Sequence, residues 1–345
     1  MIDLIVAGGG PAGLSTAIHA ALAGLEAVVV EPRPTPVDKA CGEGLMPGAV
    51  RRYEELGVAV TGRPFRGIGY VDGVTGLRAE ALFRSGPGRG ARRTDLQAAL
   101  AARAAELGVR VVPGRVGEVR QDGQRVYAAG LTGRYLAAAD GLHSPVRRAL
   151  GLDVPAVPGR PARYGLRRHY AVEPWSDLVE VHWSGRSEAY VTPLGPDRIG
   201  VAVLTSEQAP YEVHLARFPD LVDRLPAPGT GPASAVRGAG PLRRRSRTRV
   251  AGRVLLVGDA AGYVDALTGE GLTLAVMAAA ELVRCVRADR PQEYERAWRE
   301  LSRGYRTLTG ALLWARRRPS LSGRIVPLAA RLPGVFAGAV NLLAR

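Results

Sequence analysis

The chain has 345 residues, 46% hydrophobic and 23% charged, enough to bury one large core with a smaller domain attached. Its formal net charge of +15 is spread along the chain without an aromatic-interleaved basic strip, so nucleic acid is excluded as the expected partner. Two cysteines, Cys41 and Cys285, exclude a disulfide framework and point to a reducing, cytoplasmic compartment, and no run of about 18 uncharged apolar residues is present to span a bilayer.

The chain enters a strand at once, without the basic segment of a signal peptide. Residues 2–7 are an apolar strand, Gly8-Gly9-Gly10-Pro11-Ala12-Gly13 a tight turn, and residues 14–24 an Ala-rich helix. In such a turn the first glycine permits the bend, the second lets backbone approach a pyrophosphate, and the third lets helix and strand pack closely. The N–H groups of the helix start then face the anion. Glu31 follows the second apolar strand, residues 26–30, where an acidic side chain can accept a hydrogen bond from a ribose. Strand, turn, helix and acid together predict a dinucleotide site.

Residues 32–36 hold three prolines and form a loop that leads into Asp38-Lys39-Ala40-Cys41-Gly42-Glu43-Gly44-Leu45-Met46-Pro47, where glycines flank a charged residue and suggest backbone lying against something flat. Lys39 is the single lysine among 47 basic residues. Residues 48–56 read as a helix with a solvated face, and 65–85 as two antiparallel strands. Gly86-Pro87-Gly88-Arg89-Gly90 does not join a buried strand to a helix and reads as a hairpin or loop tip. A long helix then runs to about residue 107, with Thr94 or Asp95 as its cap and Arg93 at its start.

A strand at 109–112 and short strands over 116–137 come next. A small-residue strand then runs into Asp140-Gly141, and Ser144-Pro145 starts a helix. Residues 155–161 are a proline-rich connection. Residues 164–205 read as a meander with turns at Ser184-Gly185-Arg186 and Gly195-Pro196-Asp197, suited to covering a ligand. Residues 221–235 are irregular and 236–250 a long strand or ribbon, with Arg243-Arg244-Arg245 on a solvated edge. A second nucleotide-type corner follows: an apolar strand at 253–257 ends in Gly258-Asp259, and Gly269-Glu270-Gly271-Leu272 opens a helix to about residue 287. Beyond 316, basic and apolar residues alternate, and Pro327 and Pro333 cut the segment into short helices packed on the protein, with peripheral membrane contact the less favoured alternative.

Three stretches, Gly8 to Gly13 with Glu31, Ala139-Asp140-Gly141, and Gly258-Asp259 with Gly269-Glu270-Gly271, occur in one order. Together they resemble the FAD-dependent monooxygenases of the p-hydroxybenzoate hydroxylase type and their relatives, the geranylgeranyl reductases and flavin-dependent halogenases. The resemblance implies an α/β fold: a Rossmann-like FAD-binding domain (1–63, 90–155 and 250–290), a β-sheet-rich substrate domain (64–89 and 156–249) and C-terminal helices (291–345). It implies FAD contacts from Gly8, Gly10, Pro11, Ala12, Gly13, Glu31, Pro32, Arg93, Val116, Asp140, Gly258 and Asp259, with Gly269, Gly271 and Leu272 at the isoalloxazine edge. Lys39 to Pro47 is similar to the Lys-x-Cys-Gly-Gly-Gly loop of geranylgeranyl reductases, with Glu43 in place of the middle glycine. The halogenase signature Trp-x-Trp-x-Ile-Pro is absent.

The activity implied first is an NAD(P)H-dependent monooxygenase hydroxylating or epoxidising a small organic substrate, with the nicotinamide bound transiently. The alternative is an alkene reductase of prenyl or lipid substrates. Cys41 and Lys39 are the catalytic candidates. His169, His182, Tyr190 and Thr192 are the substrate-facing candidates, of which strand alternation lets about half face inward. No cluster has metal-ligand spacing, and the oligomeric state is left open.

Overall fold

The computed structural model describes residues 1–159, 161–185, 187–226 and 234–345. Arg160 in the proline-rich connection, Arg186 in an expected turn, and 227–233 in the expected irregular stretch lie outside the described residues.

The mostly apolar runs Ile2–Ala7 and Ala27–Glu31, interrupted only by Asp3 and ended by Glu31, are largely buried on both faces, as central strands of a parallel sheet must be. They sit in an eight-stranded sheet whose main path is Arg110–Pro113, Ala27–Glu31, Ile2–Ala7, Leu131–Ala138, Val254–Leu256 and Val250–Ala251. All these neighbours are parallel except the last pair, and Val126–Ala128 and Val119–Gln121 extend Leu131–Ala138 as the expected antiparallel ribbon. The helices Pro11–Leu22, Arg93–Glu106 and Gly271–Arg287 pack against one another and share the core of this sheet. The first helix begins at Pro11, earlier than the alanine run alone indicated, because proline suits the first helical position.

A seven-stranded sheet stands beyond it, in the order Arg237–Ala239, Tyr164–Tyr170, Ile199–Thr205, Ser187–Pro193, Leu178–Ser184, Gly67–Asp72 and Arg78–Leu82. The expected meander holds for the last three strands of 164–205. Tyr164–Tyr170 departs from it by pairing with Ile199–Thr205 and not with Leu178–Ser184. The ribbon expected over 236–250 shrinks to Arg237–Ala239, followed by isolated bridges at Arg244 and Ser246. Gly88–Gly90, expected at a loop tip, is the central strand of a small sheet between Gly44–Leu45 and Arg63–Phe65. A Cβ on Gly90 would lie 1.7 Å from the Pro193 carbonyl oxygen, so glycine here serves close packing.

The C-terminal helices Ile325–Arg331 and Pro333–Leu343 pack on Arg78–Leu82. Ala329, Phe336 and Val340 form a cluster there with Ala79 and Ala81. Pro327 does not end its helix, because it occupies the first turn, where its missing N–H has no helical acceptor. Among the described residues no single helix is long and apolar enough to cross a membrane, although one bent pair, Ser320–Arg331 with Pro333–Leu343, has the length and composition together.

A buried carboxylate ties the helix Arg93–Glu106 to the seven-stranded sheet. Glu43 is 2% exposed. Its Oε1 accepts the Arg93 backbone N–H at 2.8 Å, so it performs the helix-capping task expected of Thr94 or Asp95. Its Oε2 lies 2.6 Å from His169 Nε2 on the seven-stranded sheet. Replacing Glu43 with alanine leaves a buried histidine and a helix N–H without their acceptor, so a loss of about 3–5 kcal/mol is expected in chemical denaturation. Glu43→Gln, which keeps an acceptor, is expected to lose clearly less.

Candidate active site

The first glycine corner is built as its sequence demands. Gly8 has φ +107°, and a Cβ there would lie 2.6 Å from the Ala139 carbonyl oxygen. A Cβ on Gly13 would lie 1.8 Å from the Gly8 oxygen, so only glycine lets strand and helix close. Gly10 differs: a Cβ there would meet nothing nearer than the Arg93 guanidinium at 3.8 Å, which leaves open space in front of the turn. Behind it the N-terminus of Pro11–Leu22 carries no side-chain cap and is free to receive an anion.

Glu31 Oε2 accepts the Gly9 N–H at 2.7 Å, and its Oε1 pairs with Arg33 at 2.7 Å. Burial alone would raise this carboxyl. The Arg33 and Gly9 hydrogen bonds outweigh burial and hold it below the ordinary carboxylate range. Pro32 is exposed beside it, and Val116 is buried in the core of the first sheet.

The second corner touches the first. A Cβ on Gly258 would lie 2.6 Å from Ala12 Cβ, so two motifs nearly 250 residues apart in sequence meet at one point. Arg147, 1% exposed, fixes this junction: it donates to the Ala260 and Leu142 carbonyls at 2.9 Å and pairs with Asp153 at 2.7 Å. The sequence reading did not single Arg147 out, since an arginine after Ser-Pro has no local mark that separates it from many others.

Several polar groups at the junction lack protein partners. Asp140 accepts the Val146 N–H through Oδ2 at 3.0 Å, while its buried Oδ1 and the Arg93 Nε have no partner. No hydrogen bond reaches the Asp259 carboxylate among the described residues. Burial raises the Asp259 pKa, and the charges of Lys39, Arg93 and Arg147 act against that rise. Lys39 stands beside Gly141, where a Cβ would lie 3.1 Å from its Nζ. Its enclosure, then the guanidinium groups of Arg33 and Arg93, lower its pKa, while Asp259 and Glu31 pull the other way. Unpaired acceptors, unpaired donors and an uncapped helix N-terminus converge on one space, as the hydroxyls and phosphates of FAD require.

That space opens into a cavity of about 710 Å³. Gly10, Pro11, Ala12, Arg93, Asp140, Gly258, Asp259, Gly269, Gly271 and Leu272 line it, with Lys39 and Cys41 from the loop. Gly8, Gly13, Glu31, Pro32 and Val116 do not line it and sit behind or beside the turn. The helix Gly271–Arg287 starts at the cavity wall without a side-chain cap. Next to it Glu270 has an unpartnered, buried Oε2, and burial pushes its pKa up to about 8.

The four substrate-facing candidates divide evenly. Tyr190 and Thr192 line the cavity, but their hydroxyls are used within the protein: Tyr190 donates to the Leu267 carbonyl at 2.9 Å and Thr192 to the Gly42 carbonyl at 2.8 Å. His169 is buried outside the cavity against Glu43. His182 faces the other side of its strand from the lining residues Val179 and Val181 and pairs with Glu180 at 3.2 Å. The expectation that the two histidines face substrate is therefore corrected by strand parity and by the Glu43 contact. Among the described residues no group of three His, Cys, Asp or Glu side chains can hold a metal.

Comparison with known proteins agrees with this geometry. Residues 1–162 match the FAD binding domain family. The menaquinone reductase of Mycobacterium tuberculosis is 31% identical over 302 residues, covering 78% of this chain and 72% of that protein. Digeranylgeranylglycerophospholipid reductase 1 of Methanothermobacter thermautotrophicus is 29% identical over 336 residues, covering 87% and 82%. An FAD-dependent monooxygenase of Beauveria bassiana is 36% identical over 175 residues, covering 46% of this chain and 41% of its own. In fold, a geranylgeranyl bacteriochlorophyll reductase-like protein of Thermoplasma acidophilum superposes with a TM-score of 0.79 at 19% identity, covering 99% of this chain and 95% of that one. The chain thus belongs to the FAD-dependent oxidoreductases of the p-hydroxybenzoate hydroxylase superfamily.

Proposed function

We propose that this flavoenzyme saturates carbon–carbon double bonds in an apolar, prenyl-like substrate. The carrying observation is the chemistry of the cavity away from the FAD corners, where Phe65, Ile68, Val179, Val181, Leu204 and Leu343 form the walls. His169 and His182 are turned elsewhere, and the Tyr190 and Thr192 hydroxyls are already bonded to carbonyls. Such walls favour a hydrocarbon in that part of the cavity. Relatives named as reductases of menaquinone and of a prenylated lipid, matched over most of the chain, support the same reading.

Bound FAD, reduced by NAD(P)H, supplies the hydride for such a reduction. The protein's part is to hold the alkene in a dry space and to provide a proton. Cys41 lines the cavity, and its Sγ accepts the Glu43 N–H at 3.4 Å, which orients the thiol. Burial, opposed by Arg93 and reinforced by Glu43, raises the Cys41 pKa, so the thiol keeps its proton at neutral pH and can donate it. Lys39, beside Gly141 and among the charges of the FAD corner, serves cofactor binding in this scheme. Oxygenation in the same cavity is the competing reading, supported by the shorter match to a monooxygenase.

Reduced protein mixed without oxygen with a prenyl lipid that carries no quinone ring is expected to yield a product heavier by two hydrogens, read by mass spectrometry. A product that instead gains one oxygen atom, in air with NADPH, overturns the reductase reading in favour of oxygenation. Cys41→Ala is expected to slow substrate-driven flavin reoxidation by roughly 10²-fold, with dithionite reduction of the flavin unchanged. In the wild type that rate should stay level through the ordinary thiol range and fall only at higher pH. Asp259→Ala removes a charged acceptor for the cofactor and is expected to weaken FAD binding by about 10- to 100-fold, measured from the fluorescence of released flavin.

A further inference from the structure

The Arg243-Arg244-Arg245 stretch, expected on a solvated edge, encloses a second cavity. This cavity has a volume of about 520 Å³ and lies between segment 243–249 and the helix Glu293–Arg316. Eight arginines line it, and no aspartate or glutamate does. Glu295, behind the wall, pairs with Arg249 at 2.7 Å and Arg299 at 2.8 Å. Arg245 and Arg247 from one side and Arg303 and Arg306 from the other meet no carboxylate among the described residues.

Two of the eight guanidinium groups, those of Arg249 and Arg306, rest against an aromatic ring beneath them. The buried Trp298 ring lies under the Arg249 guanidinium at 4.0 Å and near that of Arg306 at 5.6 Å. Burial, together with the neighbouring charges of Arg306 and Arg299, lowers the Arg249 pKa against the effect of Glu295. Like charges gathered at this density repel one another, and an anion bound among them relieves the repulsion. Planar forks approaching from two walls suit the several oxygens of phosphate groups.

The cavity also borders the active site. Tyr263 lines both cavities. Arg244 lines the arginine cavity, and its guanidinium lies 3.1 Å from Nδ1 of His143, which lines the active-site cavity. A Cβ on Gly271, at the start of the helix facing the flavin edge, would lie 3.4 Å from the Tyr263 ring.

We propose that the arginine-lined cavity binds the diphosphate group of a ligand. Two sources of that chemistry suit a flavin oxidoreductase: the diphosphate of a nicotinamide dinucleotide, and the diphosphate head of a prenyl substrate. The site goes beyond the reductase reading and does not depend on which bond is reduced.

The test titrates FAD-loaded protein with inorganic pyrophosphate by calorimetry in buffer of physiological chloride concentration. The expected result is saturable binding that weakens by about tenfold or more in the double variant Arg303→Ala/Arg306→Ala, with the flavin spectrum and thermal midpoint retained. Arg245→Ala/Arg247→Ala examines the opposite wall and serves if the first variant does not fold. Equal pyrophosphate affinity in the wild type and the folded variants, or no binding to the wild type, overturns the proposal. Where binding is lost, a raised KM for NADPH assigns the site to the reductant, and a raised KM for a prenyl diphosphate assigns it to the substrate. Pyrophosphate binding is read without turnover, so a failed alkene-reduction assay leaves this result standing.

Discussion

Glu43 combines a backbone that favours glycine with a side chain that binds to two other parts of the fold. Its φ of +59° costs a non-glycine residue about 1–2 kcal/mol. In return its carboxylate receives the first N–H of the helix Arg93–Glu106 and meets His169 on the far sheet, while its own carbonyl accepts the Ala91 N–H at 2.9 Å. The Cys41 loop, the helix that carries Arg93, and the seven-stranded sheet are thereby fixed relative to one another. Thr192, donating to the Gly42 carbonyl, adds a second tie in the same place. At the position where the loop of geranylgeranyl reductases carries a glycine, Glu43 adopts the left-handed backbone that glycine favours and adds a side chain that binds.

A buried charge cluster performs a similar task at the other end of the sheet. Arg163 pairs with Glu188 at 2.8 Å and with Asp265 at 2.9 Å, and Arg316 also pairs with Glu188. Asp265 follows the Gly258-Asp259 corner, and Arg316 ends the long C-terminal helix. Cofactor corner, cavity floor and C-terminal helix thus share one network of opposite charges. Removing one member leaves its partner buried without compensation, which is why such networks hold neighbouring elements in a single arrangement.

The parts of the site legible in the sequence are those specified by neighbouring residues. Gly8 to Gly13 forms a strand–turn–helix whose steric demands are met within one short segment, and Gly258-Asp259 and Asp140-Gly141 end strands in the same way. Contacts made over long distances in sequence were not legible. Thr94 and Asp95 have the chemistry of helix caps, yet the acceptor comes from Glu43, 50 positions away. Alternation places His182 and Val181 on opposite faces, but only the assembled sheet shows which face meets the cavity. Gly88–Gly90 looks like a turn by composition and becomes a strand because Phe65, Leu45 and Pro193 crowd it from three directions. Arg243 and Arg245 are exposed, as a solvated edge implies, but the arginines that face this stretch lie on a helix about 60 residues later in the chain.

Val340 and Leu343 of the helix Pro333–Leu343 form part of the cavity wall. That helix is pinned from outside: Asn341 donates to the Leu82 carbonyl at 2.9 Å and accepts the Arg84 N–H at 2.8 Å, and the Gly48 N–H donates to the Ala344 carbonyl at 2.9 Å. None of these anchors touches the glycine corners or Cys41. The apolar wall this helix contributes and the cofactor corners consequently rest on separate anchors, so the bulk of Val340 and Leu343 trims the room left for a guest without disturbing the residues at the glycine turns.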